Sequence, residues 1–324
     1  MLDIQVWFSA SGTGSENLRG VFDRIPSDRM EEHMSQMKEK SRCSGCGICS
    51  EVCPFKIIDV QKGSQATFRP ERRHLCQRCG QCMAVCPSGF VQVEGLSYED
   101  NFAGIRPFGF GEDEFADFLA SRRSVRNFDR RDVPRDVVQK VVDAVRYAPF
   151  GSHPEKISMT IVDDRRTIES ALPMVSEFLG RIVPMIENPL ISFFIKKSST
   201  PEVFNTVKNH LYPISKQGTY KLENGDRITR GAPVLILFHS DTAAEARTAN
   251  TLINATYAML QAHALGLGAA MVEVVPAAVN QVKGLKELFQ IPEKHEVGMS
   301  LILGYPKYKY RRAISRPVPA ANWI

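Results

Sequence analysis

The chain has no apolar run long enough to span a membrane. Its best stretch, Ile182 to Ile195, is interrupted by Pro184, Glu187, Asn188 and Pro189. The segment Met1 to Trp7 has no basic region followed by an apolar core, the mark of export, so a cytoplasmic location is expected. No tract of Lys or Arg is present, only short scattered pairs, and the net charge of +5 is mild for 324 residues. That balance argues against nucleic acid and gives a weak case for small acidic partners. A dinucleotide-binding glycine fingerprint is also missing. Hydrophobic content of 43% and charged content of 24% are ordinary for a globular protein. The length allows two domains, one small and one with a sizeable core.

Cysteine, by contrast, is concentrated. All eight fall into two copies of one pattern, Cys43-x2-Cys46-x2-Cys49-x3-Cys53-Pro54 and Cys76-x2-Cys79-x2-Cys82-x3-Cys86-Pro87. This is the spacing of a pair of [4Fe–4S] clusters, as in bacterial ferredoxins. Three thiolates on a tight loop can hold three irons of a cubane, with the fourth coming from the other run. The expected sets are therefore Cys43, Cys46, Cys49 and Cys86 for one cluster, and Cys76, Cys79, Cys82 and Cys53 for the other. Disulfides or structural zinc are the competing readings, but zinc sites use paired hooks for which a third Cys and a Cys-Pro are superfluous. With every ligand used, no thiol remains for a catalytic nucleophile. Thiolate clusters also suit a reducing compartment.

The ferredoxin-like module is expected over residues 40–95, with short strands at Lys56 to Gln61 and Phe90 to Glu94 shielding the sulfurs. Residues 1–39 read as an N-terminal extension. Val6 to Leu18 faintly resembles the phosphate loop that opens a flavodoxin, but about 40 residues leave no room for a doubly wound sheet. Residues 96–112, rich in Gly, Phe, Arg and Pro, read as a linker. The second domain, 113–324, starts with helices at Glu112 to Ala120 and from Pro134 towards Pro149. Strands are expected at Ile157 to Val162, Val234 to His239, Ala269 to Val275 and Val297 to Gly304. A helix from Ala243 to Leu265, apolar almost all round, should lie in the core or a subunit interface. The fold class is α+β.

Between the first two helices lies Ser121-Arg122-Arg123-Ser124-Val125-Arg126-Asn127-Phe128. Adjacent guanidinium groups and a serine hydroxyl offer forked donors suited to a phosphate dianion. The segment resembles the Arg-Arg-Ser-x-Arg-x-Phe signature of the nitroreductase family of FMN oxidoreductases. Four further stretches match that family in order: Tyr147 to His153, Gly231-Ala232-Pro233, Leu265-Gly266-Leu267-Gly268, and Leu303-Gly304-Tyr305-Pro306. The resemblance covers residues 113–316. It implies a central mixed or antiparallel sheet with flanking helices, an FMN whose phosphate is held by Arg122, Arg123, Ser124, Arg126, Arg311 and Arg312, and Gly151 and Ser152 near the ring. Gly268 would allow close approach of the backbone. Where the family loop usually continues Asn-x-Gln-Pro-Trp, this chain has His153-Pro154-Glu155-Lys156-Ile157, so those ring contacts are in doubt. His153 is a candidate proton donor, and Glu273 stands where some relatives place a glutamate beside the flavin. Residues 167–229, including Phe178, Phe193, Phe194, Phe204 and Tyr220, have the least family character and are candidates to roof the pocket.

The joined modules imply one-electron clusters feeding a two-electron flavin. The expectation is a reductase that takes electrons from ferredoxin or another low-potential donor and passes them to a small organic acceptor. The family resemblance also implies a homodimer. Oxidative dehydrogenation, or a carrier or redox sensor without an organic substrate, are the alternatives. Substrate, direction and cluster potentials are not legible in the sequence.

Overall fold

A computed structural model describes residues 43–61, 63–105, 109–151, 156–317 and 320–323. The expected N-terminal extension and the candidates Ser152 and His153 lie outside the described residues. The chain divides into two compact units, Met1–Arg106 and Pro107–Ile324.

The described part of the first unit contains α1 (Ile48–Val52), β1 (Ile58–Asp59), β2 (Thr67–Phe68), α2 (Gln81–Ala84) and α3 (Tyr98–Asn101). β1 and β2 form an antiparallel pair. A short strand was expected at Phe90 to Glu94, and the structure corrects this: residues 90–94 form no strand, and β1 pairs with Thr67–Phe68. The alternation seen there is nevertheless real, because Val91 and Val93 are buried in the same small core as Ile58, Met83, Cys49 and Cys82. Tyr98 and Phe102, within the segment read as linker, pack on that core. Ser97 caps α3, its hydroxyl accepting the Asp100 N–H.

The second unit is built on a four-stranded antiparallel sheet in the order β3-β4-β6-β5. Its elements are α4 (Glu112–Ser121), α5 (Arg135–Ala144), β3 (Ile157–Val162), α6 (Arg165–Glu187), α7 (Pro189–Ser198), α8 (Pro201–Thr206), α9 (Tyr212–Lys216), β4 (Val234–Asp241), α10 (Arg247–Ala264), β5 (Gly268–Met271), α11 (Val274–Gln281), α12 (Lys283–Leu288) and β6 (His295–Gly304). β4 is a continuous apolar run because both faces of the sheet are covered. Leu235 and Leu237 face a core completed by α6, α11 and α12, whereas Val234, Ile236 and Phe238 face one completed by α5 and α10. Asp164 caps α6 by accepting the Arg166 and Thr167 N–H groups. At Asn188, which caps α7, the chain bends by 106°. Among the described residues no single helix is long and apolar enough to cross a membrane.

Two expected elements change. The strand expected to run to Val275 ends at Met271: Val272 still donates to Ser300, 3.0 Å away, after which α11 begins. Val275, Ala278 and Val279 are buried at helical spacing, which the short apolar run had concealed. α10 is also less uniformly buried than its composition suggested. It buries a stripe of Asn250, Thr251, Ala255, Ala258 and Ala262, and leaves Leu252 exposed. The small alanines let the helix lie close to the sheet. Gly298 on β6 is obligatory there, because a Cβ on it would fall 2.2 Å from Thr251 Oγ1.

At one end of the sheet His239, 4% exposed, bridges three strands. Its Nδ1 lies 2.8 Å from Nδ1 of His295 and its Nε2 3.1 Å from Thr160 Oγ1. Burial, aided by His295, pushes the His239 pKa down from 6.5 to about 4. The stability gained from keeping this ring neutral is complete above pH 6.5 and is lost as pH falls towards 4, where the unfolded chain binds a proton that the folded chain refuses. The cost at pH 5 is about 2 kcal/mol. The thermal midpoint, followed by circular dichroism, is therefore expected to fall by several degrees between pH 7 and pH 5, and His239→Gln should flatten that slope.

Candidate functional site

In the first unit the local backbone of the two cysteine runs is the same. Gly45 and Arg78 stand at equivalent positions with φ of 66° and 51°, and Gly47 and Gly80 with φ of 79° and 71°. These left-handed residues curl each loop, and Gly47 and Gly80 then start α1 and α2, which carry Cys49 and Cys82 inward. Two pockets result. One is lined by Cys43, Cys46, Cys49 and Cys86 and the other by Cys53, Cys76, Cys79 and Cys82. Each pocket thus has three thiols from one run and one from the other, the grouping expected from the spacing.

The donor chemistry fits an anionic cluster of iron and sulfide. The N–H groups of Gly45 and Ala66 point at Cys43 Sγ from 3.4 Å, that of Ile57 at Cys53 Sγ from 3.4 Å, and the Ser88 hydroxyl lies 3.7 Å from Cys86 Sγ. Burial pushes the Cys82 thiol up to about 11 and raises that of Cys49. At Cys86 burial also pushes upward, but the Val91 N–H, the Ser88 hydroxyl and the N–H groups of Phe90 and Ser88 outweigh it and leave the thiol below its ordinary value. Among the described residues no three or more His, Cys, Asp or Glu side chains converge as a site for a single metal ion would require.

In the second unit, stretches far apart in sequence meet. Ser124 bridges to Ala269 of β5, with the Val125 N–H donating to the Ala269 carbonyl at 3.0 Å. Val125 is packed so tightly on Gly268 that a Cβ there would fall 2.6 Å from it. Phe128 bridges to Pro306, and the Asp129 N–H donates to Tyr305. A Cβ on Gly304 would strike Pro233 at 2.6 Å and Phe128 at 3.1 Å. The segment 122–128, the Gly-Ala-Pro, the Leu-Gly-Leu-Gly and the Leu-Gly-Tyr-Pro therefore lock onto one another. Gly268 does permit a close approach, and what approaches is the Val125 side chain.

The lock presents a basic, partly desolvated group. Arg122 is half-buried with its guanidinium 3.7 Å from Met259 Sδ. Burial, Arg123 and Arg316 all lower its pKa. Arg123 donates to the Ala120 carbonyl, and its Nε is buried without a partner. Beside them Ser121 Oγ lies 2.8 Å from His263 Nε2. Burial lowers the His263 pKa, Arg122 and Arg123 lower it further, and a hydrogen bond with the Phe118 backbone opposes them. Asn250, 1% exposed, accepts the Gly151 N–H at 2.9 Å, while its own amide nitrogen is buried with no acceptor. Clustered cations with an orphaned guanidinium N–H suit an anionic ligand such as a phosphate.

Other sequence candidates lie differently. Arg126 is exposed, as are Arg311 and Arg312 in the C-terminal tail, and the tail residue that influences Arg122 is Arg316. Glu273 is exposed at the start of α11. Of the proposed roof, Phe204 is buried, whereas Phe193 and Phe194 are exposed on α7. Asn250, His263 and Arg316 were missed. Asn250 left a trace, as a polar residue in a helix read as apolar, and the other two left none.

A sheet clad on both faces, with a glycine-locked basic segment along one edge strand, defines an α+β domain built to hold an anionic cofactor. The chain belongs to the nitroreductase family, whose model matches residues 119–305, and it carries that FMN-binding domain behind a 4Fe–4S dicluster domain matching residues 42–91. It is 26% identical over 193 residues to a protein of Methanothermobacter thermautotrophicus provisionally named NADH dehydrogenase/NAD(P)H nitroreductase, covering 58% of this chain and 75% of that protein. Similar solved structures include a nitroreductase with bound FMN from Bacteroides fragilis, 20% identical over 65% of this chain and 98% of that one, with a TM-score of 0.47. Another, also with bound FMN, is from Desulfitobacterium hafniense, 17% identical over 65% and 98%, with a TM-score of 0.48.

The Gly268–Val125 contact yields a stability test. Gly268→Ala is expected to cost about 1–3 kcal/mol by overpacking. Adding Val125→Ala should recover part of that loss in denaturant unfolding. Equal stability of Gly268→Ala and wild type would refute the contact.

Proposed function

We propose that the protein is a reductase in which two [4Fe–4S] clusters deliver electrons to FMN for transfer to a small organic acceptor. The observation that carries this reading is the pairing of two four-cysteine pockets with a nitroreductase-family domain on one chain. Cys43, Cys46, Cys49 and Cys86 would hold one cluster, and Cys76, Cys79, Cys82 and Cys53 the other. When bound, the clusters carry single electrons and FMN stores a pair for delivery as a hydride.

The chain's own residues divide the remaining work. Arg122, Arg123 and Ser124 hold the FMN phosphate, with Arg316 as the tail contact in place of Arg311 and Arg312. Gly151 and Asn250 line the ring side, Asn250 offering its unpartnered amide donor. N–H groups aimed at the sulfurs set how readily each cluster accepts charge. Covalent linkage of the modules means electron delivery needs no encounter between separate proteins. The external donor would be ferredoxin or another low-potential carrier. The cytoplasm supplies the reducing conditions that thiolate clusters need. A homodimer would cover the exposed side of α10 around Leu252.

The deciding experiment is anaerobic iron, sulfide and flavin analysis followed by reductive titration with visible and electron-spin spectra. About eight irons and one FMN per chain are expected, with the flavin reduced through the clusters. Cys86→Ala should remove the cluster of Cys43, Cys46 and Cys49 and spare that of Cys76, Cys79 and Cys82. Zinc in the cysteine pockets, or eight irons without flavin, would overturn the reading. Light scattering at micromolar concentration should return the mass of a dimer.

A further inference from the structure

The two cysteine runs correspond position by position, Cys43 to Cys76 and Cys53 to Cys86, so the surroundings of the two pockets can be compared residue for residue. Two positions that are left-handed in both copies differ in kind. At the pocket of Cys43, Cys46, Cys49 and Cys86 they are Gly45 and Gly89, with φ of 66° and 63°. At the pocket of Cys53, Cys76, Cys79 and Cys82 they are Arg78 and Lys56, with φ of 51° and 49°. Glycine adopts this backbone freely, whereas a residue with a Cβ carries a steric cost there. Both costs fall at one pocket, and both residues that bear them are cations. Costs of this kind cluster at functional positions.

Contacts bring further positive charge to the same rim. Arg72 donates from Nη1 to the Phe55 and Lys56 carbonyls at 3.1 and 3.4 Å, and Lys56 donates from Nζ to the Glu51 carbonyl at 2.9 Å. Carbonyl acceptors hold these side chains without neutralising them, and among the described residues Lys56, Arg72 and Arg78 form no ion pair. Arg73 pairs with Glu94 at 3.8 Å, and Arg78 Nη1 lies 3.7 Å from where a Cβ on the adjoining Gly95 would stand. Both contacts fall just after Val93, a wall of the pocket, as Phe55 is on the side of Arg72. Arg69 is neutralised by Asp59 at 3.3 Å, and on the turn Pro70–Leu75 the exposed Glu71 is outnumbered by Arg72 and Arg73. Within this rim Cys79, Phe55 and Leu75 are exposed. The loops of the other pocket, residues 43–52 and 84–91, contain no Lys or Arg, and their charged side chain is Glu51.

We infer that this face is the docking site of an acidic one-electron carrier protein, and that the pocket of Cys53, Cys76, Cys79 and Cys82 is the port through which the carrier's electrons enter. Exposed apolar side chains inside a polar rim are the make-up of a protein interface. A rim of one sign steers a partner of the opposite sign onto it. The cations stand on several segments around the pocket and do not converge on one point, which suits the broad acidic face of a protein better than a small anion. In the transfer one electron leaves the reduced carrier, which is oxidised, and the cluster of the port is reduced by one; no bond forms or breaks and no proton moves. The port rests on the cluster reading above.

The test follows binding and electron delivery separately, on full-length protein whose iron and sulfide have been counted, with an acidic bacterial ferredoxin as the probe. The oxidised ferredoxin should bind in calorimetry at about 0.01 M salt and more weakly at about 0.15 M, as the Debye length shrinks from about 30 to about 8 Å. The reduced ferredoxin should deliver electrons in stopped flow with the same salt dependence. Lys56→Gly and Arg78→Gly give this pocket the residues of its counterpart, so they remove charge while suiting the left-handed turns. Together they should weaken ferredoxin binding and slow its electron delivery by about tenfold at low salt. Iron content and the rate with reduced methyl viologen, a small cation, should be undiminished. Arg78→Lys, which keeps the charge, should retain most of the wild-type rate. Absence of binding, or binding and delivery that ignore salt and both substitutions, would overturn the inference. Equal slowing with methyl viologen would also overturn it, by making these residues tuners of the cluster and not a docking surface. Zinc in the pockets would defeat the cluster reading and the port with it, whereas charge-insensitive delivery to fully loaded protein would defeat the port alone.

Discussion

The second unit depends on burying both faces of one sheet. β4 and β6 can be apolar along their length only if helices cover them from both sides, and that requirement sets the roles of the surrounding residues. On one face the long α6 supplies Ile168, Leu172, Val175 and Leu179; on the other, the fully buried apolar residues of α10 are Ala255, Ala258 and Ala262. The contrast sets how near each helix lies to the sheet. A helix that presents alanines lies close to the sheet, bringing Asn250 to Gly151 and His263 to Ser121. Bulkier residues in that stripe would push the helix outward and separate those pairs.

The first unit works under the opposite limitation. Its described core is a handful of residues, and two of them, Cys49 and Cys82, are themselves expected ligands. A domain this small rarely buries enough apolar surface to offset its chain entropy. On the reading proposed above, what the thiols bind would supply much of its stability, and folding and cluster assembly would be coupled. The exchange of the fourth cysteine strengthens that coupling. Cys53 closes the pocket of the second run and Cys86 that of the first, so neither half can complete its site alone.

What could be read from sequence follows from how local the cause is. Cysteine spacing is local chemistry, and the two pockets group the thiols as the spacing implied. The central strands declared themselves because Val234 to Phe238 is an unbroken apolar run and Val297 to Gly304 is interrupted only by Gly298 and Ser300. The expected β5 is too long because Ala269 to Val275 has apolar residues on either side of the point where strand gives way to helix, and Pro276, in the first turn of α11, lies just beyond that run. The close contact at Gly268 is with Val125, which lies on a distant segment, so this partner was not visible in the sequence. Arg316, His263 and Asn250 act on Arg122, Ser121 and Gly151, segments distant in sequence, and contacts of that kind leave no periodicity.

The group at Arg122, Arg123 and Arg316 gathers like charge on partly buried backbone, where burial and the neighbouring guanidinium groups both lower the proton affinity of Arg122. The sheet holds the signature segment there through the close contacts at Gly268 and Gly304. On the reading proposed above, a phosphate bound at this group would relieve the repulsion, so that cofactor binding and domain stability would be linked. The scaffold would then hold the cofactor by a segment that is itself pinned to two strands, β5 through Ala269 and the end of β6 through Pro306, which keeps the group in place with little motion of its own.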